Sequence, residues 1–120
     1  NNIDEERVYI TGLSMGGYGT WGIITKRPDI FAAAIPICGG GDIKKASRLK
    51  HLPIWAFHGE DDSVIPVQET INMVRELNKI NGNIKSTIYP NTNHDSWTKT
   101  YNNKDIYDWL LFQSRKHKNK

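Results

Sequence analysis

A serine between glycines, an acidic turn and a histidine-containing loop are the parts of this sequence that could do chemistry together. Gly12-Leu13-Ser14-Met15-Gly16 has the pattern G-x-S-x-G, in which a serine projects from a tight turn between a strand and a helix. Glycines leave room for such a turn, and the N–H groups at the start of the following helix suit a developing oxyanion. We therefore predict that Ser14 is a nucleophile.

A serine hydroxyl needs a general base, and four histidines could supply one. His51 lies in a polar connection, His58 closes a predicted strand and is interpreted as structural, and His117 is in the C-terminal tail. His94 follows the last predicted strand in a polar loop and comes after the acidic turn, in the chain order serine, acid, histidine. We predict that His94 is the base.

The base in turn needs a carboxylate that fixes its orientation. Glu60, Asp61 and Asp62 leave the predicted strand that contains Trp55. Adjacent residues in a turn point in different directions, so only one of them is expected to reach the base. From the residues alone, either Asp61 or Asp62 could be the carboxylate that orients the base.

A fold that gathers these residues must bring the ends of several strands together. Patterns of apolar residues bounded by glycine and proline predict strands over 7–11, 31–38, 53–57 and 84–89, and helices over 15–26, 43–49, 66–80 and 104–116. Alternating strands and helices predict an α/β fold with a mostly parallel sheet and helices on both faces. Sites in such sheets lie beyond the carboxyl ends of the strands.

Three segments, taken in order, resemble the α/β-hydrolase superfamily. They are Gly12-Leu13-Ser14-Met15-Gly16-Gly17, His58-Gly59-Glu60-Asp61-Asp62-Ser63-Val64-Ile65-Pro66 and His94-Asp95-Ser96-Trp97. More narrowly they are similar to the bacterial esterase and predicted-peptidase branch, which is related to dienelactone hydrolases and to polyhydroxybutyrate-depolymerase-like feruloyl and acetyl-xylan esterases. That branch shows H-G-x-x-D-x-x-V-P, so the resemblance implies Asp62 as the acid, with Ile65 where valine is usual. It also implies Ser14 as nucleophile and His94 as base.

The resemblance implies a serine hydrolase that cleaves carboxylic esters through an acyl-enzyme, with the Met15 N–H as one oxyanion donor. The expected substrate is a small-molecule or polysaccharide-linked ester, and a plant-polysaccharide ester would favour a secreted or cell-envelope location in a bacterium. A peptidase or amidase of the same fold is the alternative. Tyr18 and Trp97 are predicted to line the substrate pocket, and Trp21 could also do so, although packing is the more common use of aromatic side chains.

The chain is expected to form a single α/β-hydrolase domain over residues 1–120 that lacks its N-terminal strands. Only a few residues precede the predicted nucleophile strand, so we expect about four strands, the C-terminal portion of the fold, without the loop that gives a second oxyanion donor. The strand over 7–11 would then lie at an open edge, through which the chain could self-associate. A non-catalytic fragment that needs its N-terminal half or a partner chain is a further alternative.

Composition excludes several other classes of protein. The net charge is +3, and four of the sixteen basic residues (Arg115, Lys116, Lys118 and Lys120) lie in the last six positions, so no basic stripe predicts nucleic-acid binding. One cysteine excludes an internal disulfide, and no apolar run approaches the length of a membrane span. No metal is expected because no cluster has ligand spacing, and no cofactor because Gly39-Gly40-Gly41 lacks the dinucleotide pattern.

Overall fold

Four apolar segments form the strands of one sheet. The computed structural model describes residues 4–115 of the chain, and its strands are β1 (Tyr9–Leu13), β2 (Ala33–Ile37), β3 (Ile54–Gly59) and β4 (Ile84–Tyr89). All neighbours pair in parallel, in the order β1-β2-β3-β4. β2 and β3 are buried along their whole length, as expected of central strands covered on both faces. The predicted parallel sheet is confirmed, and β1 lies at one edge of it.

Helices cover both faces of this sheet. Its helices are α1 (Met15–Lys26), α2 (Gln68–Lys79), α3 (Trp97–Tyr101) and α4 (Lys104–Phe112). On one face, α1 and α2 pack around a core that includes Trp21, Ile54 and Met73. On the other face, α3 and α4 pack around Phe57 and Ile106. Because successive strand residues point to opposite faces, β3 contributes to both cores, and the predicted arrangement of helices on both faces is confirmed.

The start of the chain differs from its prediction. β1 begins at Tyr9 rather than at Arg7, because Glu5–Arg7 is a short 3₁₀ turn. The side chain of Asp4 accepts a hydrogen bond from the Glu6 N–H and caps that turn. At its other end β1 pairs with β2 as far as Leu13, directly before Ser14.

Several later elements also differ from prediction. The predicted short helix Ile43–Leu49 has the expected bounds but is a 3₁₀ helix, and α3 occupies residues that were predicted as loop. β2, β3 and α2 differ from their predicted bounds by one or two residues at each end. α4 ends at Phe112 instead of at 116, and the predicted end of that helix lies outside the described residues. None of the helices within 4–115 combines the length and the apolar character that crossing a membrane requires.

Candidate active site

Ser14 occupies a strained turn between β1 and α1. Its backbone φ is 57° and its ψ is −118°, a conformation that costs a residue with a side chain about 1–3 kcal/mol. The Ser14 N–H donates to the Ile37 carbonyl at 3.0 Å, and the Ser14 carbonyl accepts from the N–H groups of Gly17 and Tyr18 at 2.9 and 3.1 Å. These bonds at both sides hold the turn, which therefore presents the hydroxyl at the carboxyl end of the sheet.

The glycines of this turn have different roles. A Cβ at Gly12 would lie 2.3 Å from the Gly16 carbonyl oxygen, and one at Gly17 would lie 2.4 Å from the Ile37 carbonyl oxygen. Gly12 therefore lets α1 start close to β1, and Gly17 lets α1 approach the end of β2. At Gly16 an added Cβ would meet nothing within 4 Å, so no contact within residues 4–115 requires glycine at that position.

His94 lies within hydrogen-bond distance of the Ser14 hydroxyl. The distance from Ser14 Oγ to His94 Nε2 is 3.0 Å. The His94 side chain is 21% exposed, and the ring of Trp97 packs edge-on against its imidazole at 5.3 Å between centroids. One ring nitrogen thus faces the serine, and the loop after β4 brings the predicted base to the predicted nucleophile.

Asp62 contacts the other ring nitrogen of His94. The distance from His94 Nδ1 to Asp62 Oδ2 is 2.8 Å, and the Asp62 side chain is 0% exposed. Its second oxygen, Oδ1, accepts from the N–H groups of Val64 and Ile65, both at 2.8 Å. Burial alone would raise the pKa of Asp62, but the hydrogen bonds from His94 and from these two N–H groups outweigh it and lower the pKa below its ordinary value. Asp62 therefore stays ionised beside His94.

Asp61, the alternative acid, has a different environment. Asp61 is exposed to solvent, and its backbone N–H donates to the Thr92 carbonyl at 2.9 Å. No hydrogen bond or ion pair within residues 4–115 joins its carboxylate to His94. The structure thus brings Asp62, and not Asp61, to the histidine.

Cys38 lies next to this group of residues. It is fully buried at the end of β2, and its Sγ accepts a hydrogen bond from the Ser14 N–H at 3.2 Å. Burial raises the pKa of the Cys38 thiol above its ordinary value and outweighs that hydrogen bond, so the thiol stays protonated. The hydrogen bond from the Ser14 N–H means that Cys38 helps to hold the turn that carries Ser14.

One set of side chains among residues 4–115 has the spacing of metal ligands. Cys38, Asp62 and His94 place ligand atoms within 4.8 Å of one another. However, Asp62 and His94 are already hydrogen-bonded to each other, and the cysteine sulfur accepts from Ser14. Hydrogen bonds within the protein therefore satisfy this set.

Met15 and Tyr18 lie at the start of α1 next to Ser14 and Trp97 lies against His94, whereas Trp21 is fully buried in the core. As the first residue of α1, Met15 has an N–H with no acceptor inside the helix, and its side chain is 85% exposed. Tyr18 lies one turn further along α1 and is 40% exposed. Burial raises the pKa of the Tyr18 phenol, and the neighbouring Glu69 carboxylate raises it further, so the phenol remains a hydrogen-bond donor. Trp97 contacts His94, as described above.

Two contacts of the site were not predicted from the sequence. His58 lies against Asp62, with 3.3 Å between Nε2 and Oδ2. Asn93 Oδ1 accepts from both the N–H and the hydroxyl of Ser63, at 2.9 and 3.0 Å, and so links the acid-bearing turn to the histidine loop. The spacing of His58 and Asp62 within one short turn is the sequence signal that could have indicated the first contact.

Comparison with known proteins gives a family match and several relatives. A match to the Dienelactone hydrolase family covers residues 1–109. This chain is 51% identical in sequence to a thermostable esterase of known crystal structure, and the two structures match with a TM-score of 0.92. The match covers 94% of this chain and 32% of that chain. This chain therefore corresponds to about a third of that esterase.

Two curated relatives match shorter stretches. The bifunctional acetylxylan esterase/xylanase XynS20E of Neocallimastix patriciarum is 38% identical over 69 residues, which is 57% of this chain and 10% of the relative. The poly(3-hydroxyalkanoate) depolymerase C of Paucimonas lemoignei is 50% identical over 40 residues, which is 33% of this chain and 10% of the relative. The fold, a four-stranded portion of the α/β-hydrolase sheet, agrees with the family match, and the chain belongs to the dienelactone hydrolase family of the α/β-hydrolase superfamily.

Proposed function

We propose that this chain carries the nucleophile, the base and the acid of a serine hydrolase that cleaves carboxylic esters. The observation that supports this most directly is the continuous hydrogen-bonded series from Ser14 Oγ to His94 Nε2 at 3.0 Å and from His94 Nδ1 to Asp62 Oδ2 at 2.8 Å. Such a series lets an imidazole accept the serine proton while an ionised carboxylate stabilises the imidazolium that forms.

The proposed reaction has two half-reactions. In the first, Ser14 Oγ attacks the ester carbonyl carbon while His94 Nε2 takes the hydroxyl proton, and His94 then gives that proton to the leaving alcohol as the C–O bond breaks. In the second, water attacks the acyl carbon and loses a proton to His94. His94 then gives that proton to Ser14 Oγ as the bond between Oγ and the acyl carbon breaks, and the carboxylic acid leaves. Asp62 holds the histidine in one orientation throughout.

The oxyanion of each tetrahedral intermediate would lie at the start of α1. The Met15 N–H and the positive end of the helix dipole favour negative charge there. We propose that a second donor comes from outside the described residues, and loss of one such donor lowers kcat by about 10²–10³. Tyr18, a protonated phenol, and Trp97 would border the bound ester.

The proposed substrate class follows from chemistry and from the relatives together. A triad of this kind acts on acyl groups, and one relative is named an acetylxylan esterase. We therefore propose short acyl esters, including acetyl groups on polysaccharides, as substrates of the full-length protein that carries these residues.

Labelling with a fluorophosphonate tests the nucleophile. The full-length protein carrying these residues should gain one adduct in its intact mass and should hydrolyse p-nitrophenyl acetate. Ser14→Ala should abolish the adduct and lower kcat by about 10⁶, the loss typical of an essential serine. Ser47→Ala is the matched control, because Ser47 is exposed in the 3₁₀ helix Ile43–Leu49, away from the site.

Two results would oppose this proposal. Unchanged ester hydrolysis in Ser14→Ala would exclude Ser14 as the nucleophile. Faster turnover of a matched anilide than of the ester would instead favour an amidase that uses the same residues. The labelling experiment repeated on the 120-residue chain shows whether residues 1–120 alone activate the serine.

A further inference from the structure

His58 is a second imidazole at the acid of the candidate triad. It lies in β3 with its side chain 0% exposed, and its Nε2 is 3.3 Å from Asp62 Oδ2. That same carboxylate oxygen is 2.8 Å from His94 Nδ1. Asp62 Oδ2 therefore lies between two imidazole rings, and only one of them reaches the serine.

The surroundings of His58 determine which of its nitrogens carries a hydrogen. Nε2 faces two acceptors, the Ile65 carbonyl at 2.8 Å and Asp62 Oδ2 at 3.3 Å. Nδ1 faces the Thr70 hydroxyl at 2.8 Å, which can donate or accept. Two acceptors require a donor between them, so Nε2 carries a hydrogen whatever the state of Nδ1.

This N–H donates to the Ile65 carbonyl and lies against the buried carboxylate. Two backbone N–H groups, those of Val64 and Ile65, hold Oδ1. Oδ2 receives the His94 N–H and faces the His58 N–H. A buried carboxylate with several donors keeps its charge and its orientation.

His58 also connects the carboxylate to the start of α1. The Thr70 hydroxyl that contacts His58 lies 3.1 Å from the Gly39 carbonyl. Gly39 packs against the backbone of Gly17, because a Cβ added at Gly39 would lie only 2.5 Å from the Gly17 carbonyl carbon. Hydrogen bonds and close packing thus run from the nucleophile helix through Thr70 and His58 back to Asp62.

We propose that His58 is a positioning residue, whose Nε2–H holds Asp62 in the orientation that presents Oδ2 to His94. This inference rests on the proposed function, since it assigns a role within the same triad. His58 touches neither substrate nor Ser14, so it acts only through Asp62. Without this contact the carboxylate can rotate, and His94 loses its fixed orientation.

Two variants separate this role from a general contribution to packing. Glutamine places its amide nitrogen near the position of Nε2, so His58→Gln keeps a donor toward Asp62 and Ile65. Asparagine reaches only the position of Nδ1, so His58→Asn keeps the contact with Thr70 and loses the one with Asp62. Both variants remove the same buried ring, and their melting temperatures are measured beside their kinetics.

We expect His58→Asn to lower kcat for p-nitrophenyl acetate about tenfold with little change in KM. His58→Gln should retain most of the wild-type kcat. A carboxylate that has rotated away stabilises the protonated form of His94 less. The acidic limb of the kcat/KM profile should therefore move to lower pH in the asparagine variant. Equal losses in both variants, with an unshifted profile, would overturn the proposal.

A measurement on the unmodified protein covers the case in which a variant does not fold. In ¹⁵N-histidine NMR, His58 Nε2 should show the chemical shift of a protonated ring nitrogen across the pH range of activity. An unprotonated Nε2 would refute the inference. The NMR result does not depend on catalysis, whereas failure of the proposed function would appear as unchanged hydrolysis in Ser14→Ala.

Discussion

Gly59→Ala would separate the two loops that carry the acid and the histidine. Gly59 is the last residue of β3, and the turn with Asp62 begins directly after it. A Cβ added there would lie 2.2 Å from the Asn93 carbonyl oxygen and 2.4 Å from that of Thr92. Both oxygens belong to the backbone just before His94, so no flexible side chain can move aside to relieve the clash.

The size of the displacement follows from these distances. Favourable carbon–oxygen contacts begin at about 3.3 Å, so the backbone at Asn93 must move away by about 1 Å. That movement would stretch the bond from the Asp61 N–H to the Thr92 carbonyl, which is 2.9 Å long. A catalytic group misplaced by about 1 Å lowers the rate about 10²-fold, and overpacking of this kind costs about 1–3 kcal/mol of stability.

The assay compares Gly59→Ala with Ser47→Ala in the full-length protein that carries these residues. Hydrolysis of p-nitrophenyl acetate gives kcat, and urea denaturation gives the free energy of unfolding. Ser47 is exposed in the 3₁₀ helix Ile43–Leu49, so this variant should keep its activity and change the free energy of unfolding by at most about 0.5 kcal/mol. Wild-type kcat and stability in Gly59→Ala would refute the reasoning, because they would mean that the two loops separate without cost.

Two further predictions concern the chemistry of buried groups. Iodoacetamide should label the Cys38 thiol only as the protein unfolds, because burial both shields the thiol and raises its pKa; rapid labelling of the folded protein, measured by intact mass, would contradict this. The lowered pKa of Asp62 means that the folded state binds fewer protons there than the unfolded chain at mildly acid pH. Its contribution to stability is therefore fully present above about pH 4, the ordinary value for aspartate, and is lost as the pH falls through the lowered pKa. Urea denaturation should show the stability gap between wild type and Asp62→Asn narrowing below that pH, and a constant gap would refute the assignment.

The sheet could be predicted from the sequence because its signals are local. β2 and β3 are continuous apolar runs bounded by glycine or polar turns, which is typical of buried parallel strands. α3 could not be predicted, since five residues are too few to show a helical period. It forms because Asp95 accepts from the N–H and hydroxyl of Thr98, and because the Thr100 hydroxyl contacts that of Tyr89. The first contact is local to the segment, but the second depends on the folded position of β4.

The candidate site could be predicted as a set of residue types at strand ends, but not in all its contacts. Parallel strands put the predicted serine, acidic turn and histidine at one edge of the sheet. The choice between Asp61 and Asp62 depends on which side chain turns back toward the Val64 and Ile65 N–H groups, and no local propensity encodes that direction. The interpretation of His58 as structural omitted its contact with Asp62, because that contact depends on the path of the turn between them.

The outer face of α1 shows how the site and the rest of the fold depend on each other. Gly16, Gly19 and Gly22 lie there with room for a Cβ, and Ile23 beside them is 48% exposed. Glycine inside a helix costs about 1 kcal/mol relative to alanine, and nothing among residues 4–115 offsets that cost at these positions. The chain matches only 32% of the thermostable esterase, and β1 next to α1 is a sheet edge. If the remainder of the full-length protein packs on this face, Gly22→Ala should stabilise the 120-residue chain but destabilise the longer protein, because the added methyl group would then meet a covering element. Equal stabilisation in both would show that this face of α1 stays open in the longer protein.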